Sequence, residues 1–310
     1  MEQGKIVVVM GGPSSEAEVS RRTGAAVVKA LQEKGWQAEG LELEPATFAE
    51  TIKNSGCRAV FNAVHGKYGE DGRLQAMLEM LGIPYTGSGV LASALTIDKA
   101  AIKNTFLGAG IPTPRSRTYL KYEQSRDLAT EILGEFNLPV VVKAASQGSS
   151  IGVVIVEKAE ELGKALTECF GYDEEVLIEE FIRGKELTVA VMGNPEKQEA
   201  MPIIEITTNS GRYDYESKYT VGASQHIIPA RLTEAEAELV RKAALDTFRV
   251  CGCRGVARID VMLSEQDVPN VIDVNTVPGM TETSLVPDAA RAMGLSFPEL
   301  CDRLLRQVLA

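Results

Sequence analysis

The 310-residue sequence predicts an α/β chain (α+β in its later part), with an N-terminal open, mostly parallel sheet and further layered units behind it. Three observations lead there. Over about the first 90 residues, short apolar runs alternate with amphipathic helical runs, the pattern of a parallel sheet with crossover helices. From Pro202 the strands lengthen, one polar loop interrupts them, and two helices close the chain. The length exceeds what one hydrophobic core organises and fits two or three domains.

The first strand is K-I-V-V-V-M-G-G, residues 5–12, a buried run ending in glycines. Ser15 and Glu18 have capping-box spacing ahead of a helix that runs to Gly35. A second strand-like run, R-A-V-F-N-A-V, leads into the loop H-G-K-Y-G-E-D-G, followed by the helix R-L-Q-A-M-L-E-M-L-G and the short strand I-P-Y. Ligands on such sheets gather at the carboxyl ends of the strands. Both unusual loops, G-G-P-S-S-E and H-G-K-Y-G-E-D-G, fall there. A helix is expected over Ile97–Leu107, and the prolines of G-I-P-T-P then suit a domain boundary. Beyond it come the segment L-P-V-V-V-K-A-A-S-Q-G-S-S-I-G-V-V-I-V, a helix near Ala159–Cys169, and the strands E-V-L-I-E-E-F-I and E-L-T-V-A-V-M.

Composition narrows the function classes. A 45% hydrophobic content suits a soluble globular protein, and no apolar run reaches the roughly 18 residues of a membrane span. The N-terminus lacks the apolar core and cleavage site of a signal peptide. Cys251 and Cys253 form C-x-C without a second pair or a nearby histidine, which is poor zinc spacing. All five cysteines therefore read as reduced thiols of a cytoplasmic protein. The net charge of −11 argues against nucleic acid as a partner. It leaves room for a phosphorylated small ligand, because a few lysines can dominate the field inside a cleft.

Three stretches carry chemistry. In V-V-V-K-A-A-S-Q-G-S-S-I-G, Lys143 ends a strand, a Gly/Ser tip follows, and a second strand resumes. In the P-loop the lysine follows the glycines and opens a helix; this stretch is instead a hairpin. Its tip offers N–H groups and hydroxyls that can fold over phosphates above Lys143, or it is an ordinary hairpin. In E-V-L-I-E-E-F-I-R-G-K-E-L, Glu179 and Glu180 end an apolar strand at a turn whose backbone can read a purine edge, and Glu186 can accept from ribose hydroxyls. Solvated surface acids are the alternative. In R-G-V-A-R-I-D-V-M-L and N-V-I-D-V-N, Arg258 shares a strand face with Asp260, and Asp273 shares one with Asn275. If the strands pair, Asp260, Asp273 and Asn275 form an oxygen-only cluster suited to Mg²⁺ or Mn²⁺. An Arg258–Asp260 ion pair on an exposed face is the alternative. The metal reading is preferred, because the charges sit among Val, Ile and Met and the lysine hairpin already asks for phosphates.

Taken together and in order, G-G-x-S-x-E-x-E-V-S, H-G-x-x-G-E-D-G, D-K, V-K-x-x-x-x-G-S-S-x-G, R-I-D-V and N-T-x-P-G-M-T-x-x-S-L-V-P resemble the D-alanine–D-alanine ligases of the ATP-grasp superfamily. The resemblance implies a pre-ATP-grasp substrate-binding domain over 1–95, a central ATP-grasp subdomain over 96–185 and a C-terminal one over 186–310. It implies ATP as co-substrate and two Mg²⁺ or Mn²⁺ ions on Asp260, Asp273 and Asn275. Lys99, Lys143 and Lys218 would hold phosphates, Glu179, Glu180, Phe181 and Ile182 would meet adenine, and Glu186 the ribose. Glu16 would hold the ammonium of the first D-alanine, with Ser149 and Tyr219 as the partners that hydrogen-bond to it and His65 beside the amino acid. Arg258 and the Gly279 N–H would face the oxyanion, and Ser284 and Leu285 the second carboxylate. The segment G-R-Y-D-Y-E-S-K-Y-T-V-G-A-S-Q, residues 211–225, would close as a lid, and His226 would be structural. A cytoplasmic homodimer is usual for the family.

Two departures stand out. Lys143 is followed by Ala144 where the family commonly has proline, and Asp273 stands where it usually has the longer glutamate, which bears on metal number and affinity. A D-alanine–D-lactate or D-serine ligase and a catalytically weakened nucleotide-binding protein are the rival readings. A dinucleotide-dependent oxidoreductase is disfavoured by the missing G-x-G-x-x-G.

Overall fold

The computed structural model describes residues 4–148, 151–208, 224–281 and 284–309. The first layer is parallel, as expected. Strands β1 (Ile6–Met10), β2 (Ala38–Glu42) and β3 (Ala59–Asn62) lie in the order β2-β1-β3. Residues Ile6 to Val9 are all fully buried. Ile6 and Val8 enter one core and Val7 and Val9 another, so both faces of the sheet are covered. Helix Phe297–Leu309 covers one of those faces through Leu300, Leu304 and Leu305. It is pinned there by Trp36 Nε1, which donates to Asp302 Oδ1 at 2.7 Å across 266 residues of sequence.

The second layer is an antiparallel sheet of β4 (Ser116–Leu120), β5 (Val140–Ala144), β6 (Val153–Val156) and β7 (Glu175–Glu180), ordered β4-β7-β5-β6. Helices Leu128–Glu135 and Leu162–Tyr172 pack on it. The third sheet contains β8 (Gly184–Gly193), β9 (Gln198–Ala200), β10 (Ile204–Thr208), β11 (Ser224–Ile227), β12 (Gly255–Ser264) and β13 (Pro269–Asn275). Its order is β11-β10-β8-β12-β13, with β9 on β8, backed by helix Glu234–Val250. An N-terminal parallel sheet followed by two antiparallel sheets is the ATP-grasp arrangement that the resemblance implies.

Several local expectations shift. The helix expected over Ile97–Leu107 is found two residues further on, at Lys99–Ala109; Ile97 instead ends a separate helix, Val90–Ile97, and Asp98 between the two is extended (ψ 99°). The Asp98 carboxylate accepts from the N–H groups of Ala100 and Ala101, so a good N-cap outcompetes continuation of the helix. The capping box read at Ser15 and Glu18 is absent: Glu16 is the N-cap of helix Ala17–Glu33 and makes no side-chain cap. I-P-Y contributes one parallel bridge, Tyr85 to Val60, rather than a strand. No disulfide joins the cysteines, and burial pushes the Cys169 and Cys253 thiols up to about 12. Among the described residues no helix is long and apolar enough to cross a membrane.

Candidate active site

Strands β12 and β13 pair antiparallel, with Arg258 opposite Asn275 and Asp260 opposite Asp273. A bulge follows at once, where the register moves on to Val261 opposite Val271. Two carboxylates directly across a ladder repel each other unless they are compensated. Here Arg258 grips Asp260 with both arms of its fork, at 2.9 and 2.8 Å. Thr188 Oγ1 of β8 donates to the same carboxylate at 2.6 Å. The Asn275 amide reaches Asp260 and Asp273 at 3.4 Å each, and Lys99 Nζ stands 3.9 Å from Asp273. The Arg258–Asp260 ion pair therefore forms, but on a largely covered face, with both side chains 14% exposed.

Among the described residues no group of three or more His, Cys, Asp and Glu side chains is placed to hold a metal. The cluster is instead two carboxylates and a carboxamide. That oxygen set fits Mg²⁺ or Mn²⁺ bound together with substrate phosphates, and it does not fit a structural zinc.

The opposite wall comes from the second sheet and from helix Lys99–Ala109. Strands β5 and β6 form the expected hairpin, Val140 opposite Val156 through Lys143 opposite Val153. Lys99 Nζ donates to the Gln147 carbonyl near its tip at 2.6 Å. Lys143 Nζ lies 2.5 Å from Glu179 Oε2, and Lys103 Nζ lies 2.6 Å from Glu179 Oε1. Burial alone would push the Glu179 carboxyl up, but Lys143 and Lys103 outweigh it and hold the group below its ordinary value. The Glu179 side chain is thus fully engaged, which leaves any contact with a purine to the backbone of this stretch. The Glu180 carboxylate accepts the Arg115 N–H at 2.9 Å. Phe181 and Ile182 are half-buried in the turn before β8, and Glu186 lies within β8 opposite Met262.

The third side is built from the N-terminal layer. Glu16 is buried, and its carboxylate lies between Gly66 and Gly148: a Cβ on either glycine would stand within 2.7 Å of Oε2. Next to it His65 Nδ1 bonds the Val277 carbonyl at 2.9 Å. That contact requires Nδ1–H, so Nε2 accepts from the Thr23 hydroxyl at 3.0 Å. Burial pushes the imidazole below its ordinary value, against the pull of Glu16. Glu70 accepts the Gly66 N–H at 2.8 Å; burial, then the Glu16 and Asp273 carboxylates, push it up to about 8. A cavity of about 550 Å³ opens beside Glu16, lined by Ser14, Gly66, Arg73, Gln147 and Gly148 among others.

Ser284 is the N-cap residue of helix Leu285–Ala292. Its hydroxyl turns back to accept the Thr281 N–H at 3.0 Å and lies against Gly279, where a Cβ would approach it to 2.9 Å. Leu285 is buried in the core, leaving its backbone at the helix start. His226 Nδ1 lies 2.8 Å from Asp288, which fits a structural role. Ser149, Lys218 and Tyr219 lie outside the described residues, as does 211–223 of the lid segment.

Two charged residues of the site were not singled out in the sequence. Lys103 sits four residues after Lys99 on one helix face, a spacing that signals a shared direction. Glu70 lies inside the quoted H-G-K-Y-G-E-D-G loop.

The family model "D-ala D-ala ligase N-terminus" matches residues 38–88, and "D-ala D-ala ligase C-terminus" matches residues 106–306. A D-alanine–D-alanine ligase of Pelotomaculum thermopropionicum is 48% identical over 305 residues, covering 97% of this chain and 95% of that one. The crystal structure of the D-alanine–D-alanine ligase from Bacillus anthracis aligns with TM-score 0.87 at 36% identity, covering 99% of this chain and 97% of the other. A structure of the same enzyme complexed with ATP aligns with TM-score 0.85 at 34% identity, with the same coverage. The chain belongs to the D-alanine–D-alanine ligase family.

Proposed function

We propose that this chain joins two molecules of D-alanine into D-alanyl-D-alanine, converting ATP to ADP and phosphate, as a step toward peptidoglycan precursors. Family membership over nearly the whole chain supports this. The observation that carries it is the paired register of β12 and β13, which gathers Arg258, Asp260, Asp273 and Asn275 on one face toward Lys99. In this reading the first D-alanine binds by its ammonium to Glu16, and its carboxylate takes the γ-phosphoryl group of ATP. The amine of the second, having lost a proton, attacks the acyl phosphate, and the tetrahedral intermediate expels phosphate. Arg258 and the Gly279 N–H stabilise the oxyanion as preorganised donors. Lys99 and Lys143 hold phosphates, Asp260, Asp273 and Asn275 hold Mg²⁺ or Mn²⁺, and Ser284 orients the second carboxylate. The bound ions would neutralise charge developing on the phosphates. Residues 1–95, 96–185 and 186–310 act as substrate, nucleotide and metal-bearing units of a cytoplasmic homodimer.

The test is direct. Purified protein with ATP, Mg²⁺ and D-alanine should release phosphate and form the dipeptide, with little product when D-lactate or D-serine is offered as second substrate. Absence of D-alanine-dependent phosphate release would overturn the reading. ATP binding without turnover would favour a weakened nucleotide-binding protein instead. Sedimentation tests the dimer.

A further inference from the structure

Lys103 has no place in the roles above, yet it is 5% exposed and its ammonium makes three contacts. It lies 2.6 Å from Glu179 Oε1, and it donates to Thr113 Oγ1 at 2.6 Å and to the Pro114 carbonyl at 3.0 Å. Each contact leads elsewhere. The second oxygen of Glu179, itself 2% exposed, holds the Lys143 ammonium. The Thr113 hydroxyl donates to the Val271 carbonyl of β13 at 2.8 Å, two residues before Asp273, and Val271 N–H bonds the Pro112 carbonyl at 2.8 Å. One buried chain of contacts thus runs from Lys143 on the second sheet, through helix Lys99–Ala109 and the proline-bearing linker, to β13 on the third.

We propose that Lys103 is a positioning residue for phosphoryl transfer: through Glu179 it sets the Lys143 ammonium, and through Thr113 it sets the strand that carries Asp273. This rests on the reading of Lys143 as a phosphate ligand. The charges agree with it. Two ammoniums share one carboxylate, and burial together with Lys143 disfavours the charged form of Lys103, so an incoming phosphate oxygen beside Lys143 would relieve the repulsion between them. A buried ammonium has three protons to satisfy, and here two of its acceptors lie on the linker that is bonded to β13. Removing one partner of a buried pair can itself destabilise the fold, so a role in positioning is read in the split between the ATP and D-alanine constants, with the melting temperature measured beside them.

The experiment compares Michaelis constants for ATP and D-alanine, kcat and melting temperature in wild type, Lys103→Gln, Thr113→Val, Lys143→Met and the Lys103→Gln/Lys143→Met double variant. Lys103→Gln should raise the ATP constant about 10- to 100-fold, the scale of a small misplacement in a site. Thr113→Val, which loses the hydrogen bonds to Lys103 and to the Val271 carbonyl, should raise it about 2- to 10-fold. The D-alanine constants should hold, and the double variant should fall short of additivity, because one lysine acts through the other. An ATP constant raised in Lys143→Met but unchanged in both Lys103→Gln and Thr113→Val would overturn the proposal alone. So would equal increases for ATP and D-alanine. An unchanged ATP constant in Lys143→Met would overturn the reading of the site and the proposal with it. If Lys103→Gln does not fold, Thr113→Val decides the matter.

Discussion

At the scale of single residues, the site is defined as much by missing side chains as by charged ones. Gly148 and Gly66 both press on the Glu16 carboxylate, but only Gly66 has a positive φ, at +67°. Gly148→Ala therefore isolates the steric effect. It should raise the Michaelis constant for D-alanine about tenfold, by displacing a group that orients substrate, while the melting temperature stays near wild type. Steady-state kinetics and calorimetry check this. His65 and Glu70 give a second prediction, because their pKa values move in opposite directions and both side chains are neutral near pH 7. The Glu70 pKa lies above its unfolded value of 4.5, so its contribution to stability is full below pH 4.5 and is lost as pH rises toward about 8. At about 1.4 kcal/mol per pH unit, that interval sets a ceiling of about 5 kcal/mol. The His65 pKa lies below its unfolded value of 6.5, so its contribution is present above pH 6.5 and is lost on acidification. Melting temperatures from pH 5 to 9 should show Glu70→Gln gaining on wild type toward alkaline pH, and His65→Gln flattening the acid limb.

At the scale of elements, the break at Asp98 deserves a test, because it places Lys99 at the first position of a helix. Asp98→Ala removes the acceptor of two N–H groups. It should cost about 1 kcal/mol, a drop of a few degrees in melting temperature, and weaken ATP binding by releasing Lys99. Thermal melts and nucleotide titration measure the two effects. This break shows where the sequence was hard to read. The run V-L-A-S-A-L-T-I-D-K-A-A-I holds no proline or glycine, so the helix expected from Ile97 starts too early, and the Asp98 cap sets its start at Lys99. The pairing of β12 with β13 was legible, because two runs of alternating apolar and polar residues flank the short loop S-E-Q-D-V-P, but the bulge that shifts their register after Asp260 was not. The Ser15–Glu18 pattern misled for a physical reason: Glu16 occupies the N-cap while its side chain is drawn into the cavity. Lys103 was silent because its partners, Glu179 and the linker, are brought to it only by the packing of separate elements.

At the scale of the whole molecule, a chain of net charge −11 keeps four cations of its site, Lys99, Lys103, Lys143 and Arg258, each beside a carboxylate, Asp273, Glu179 or Asp260, that holds it in place. The three sheets are not self-sufficient blocks. The core around Ile6 and Val8 includes Leu300, Leu304 and Leu305, and Trp36 is bonded to Asp302. Ending the chain after residue 296 should therefore harm the N-terminal layer first, and hydrogen exchange of β1 in any soluble fraction should be far faster than in the full chain. The same bond has a consequence for biosynthesis. Domains fold as they leave the ribosome, N-terminal first, but here the earliest sheet must wait for a helix at the far end of the sequence before its apolar side is sealed. During that interval the side of the sheet bearing Ile6, Val8 and Phe61, covered only in part by helix Ala17–Glu33, stays incompletely sealed, and chaperone capture is expected to be strongest there.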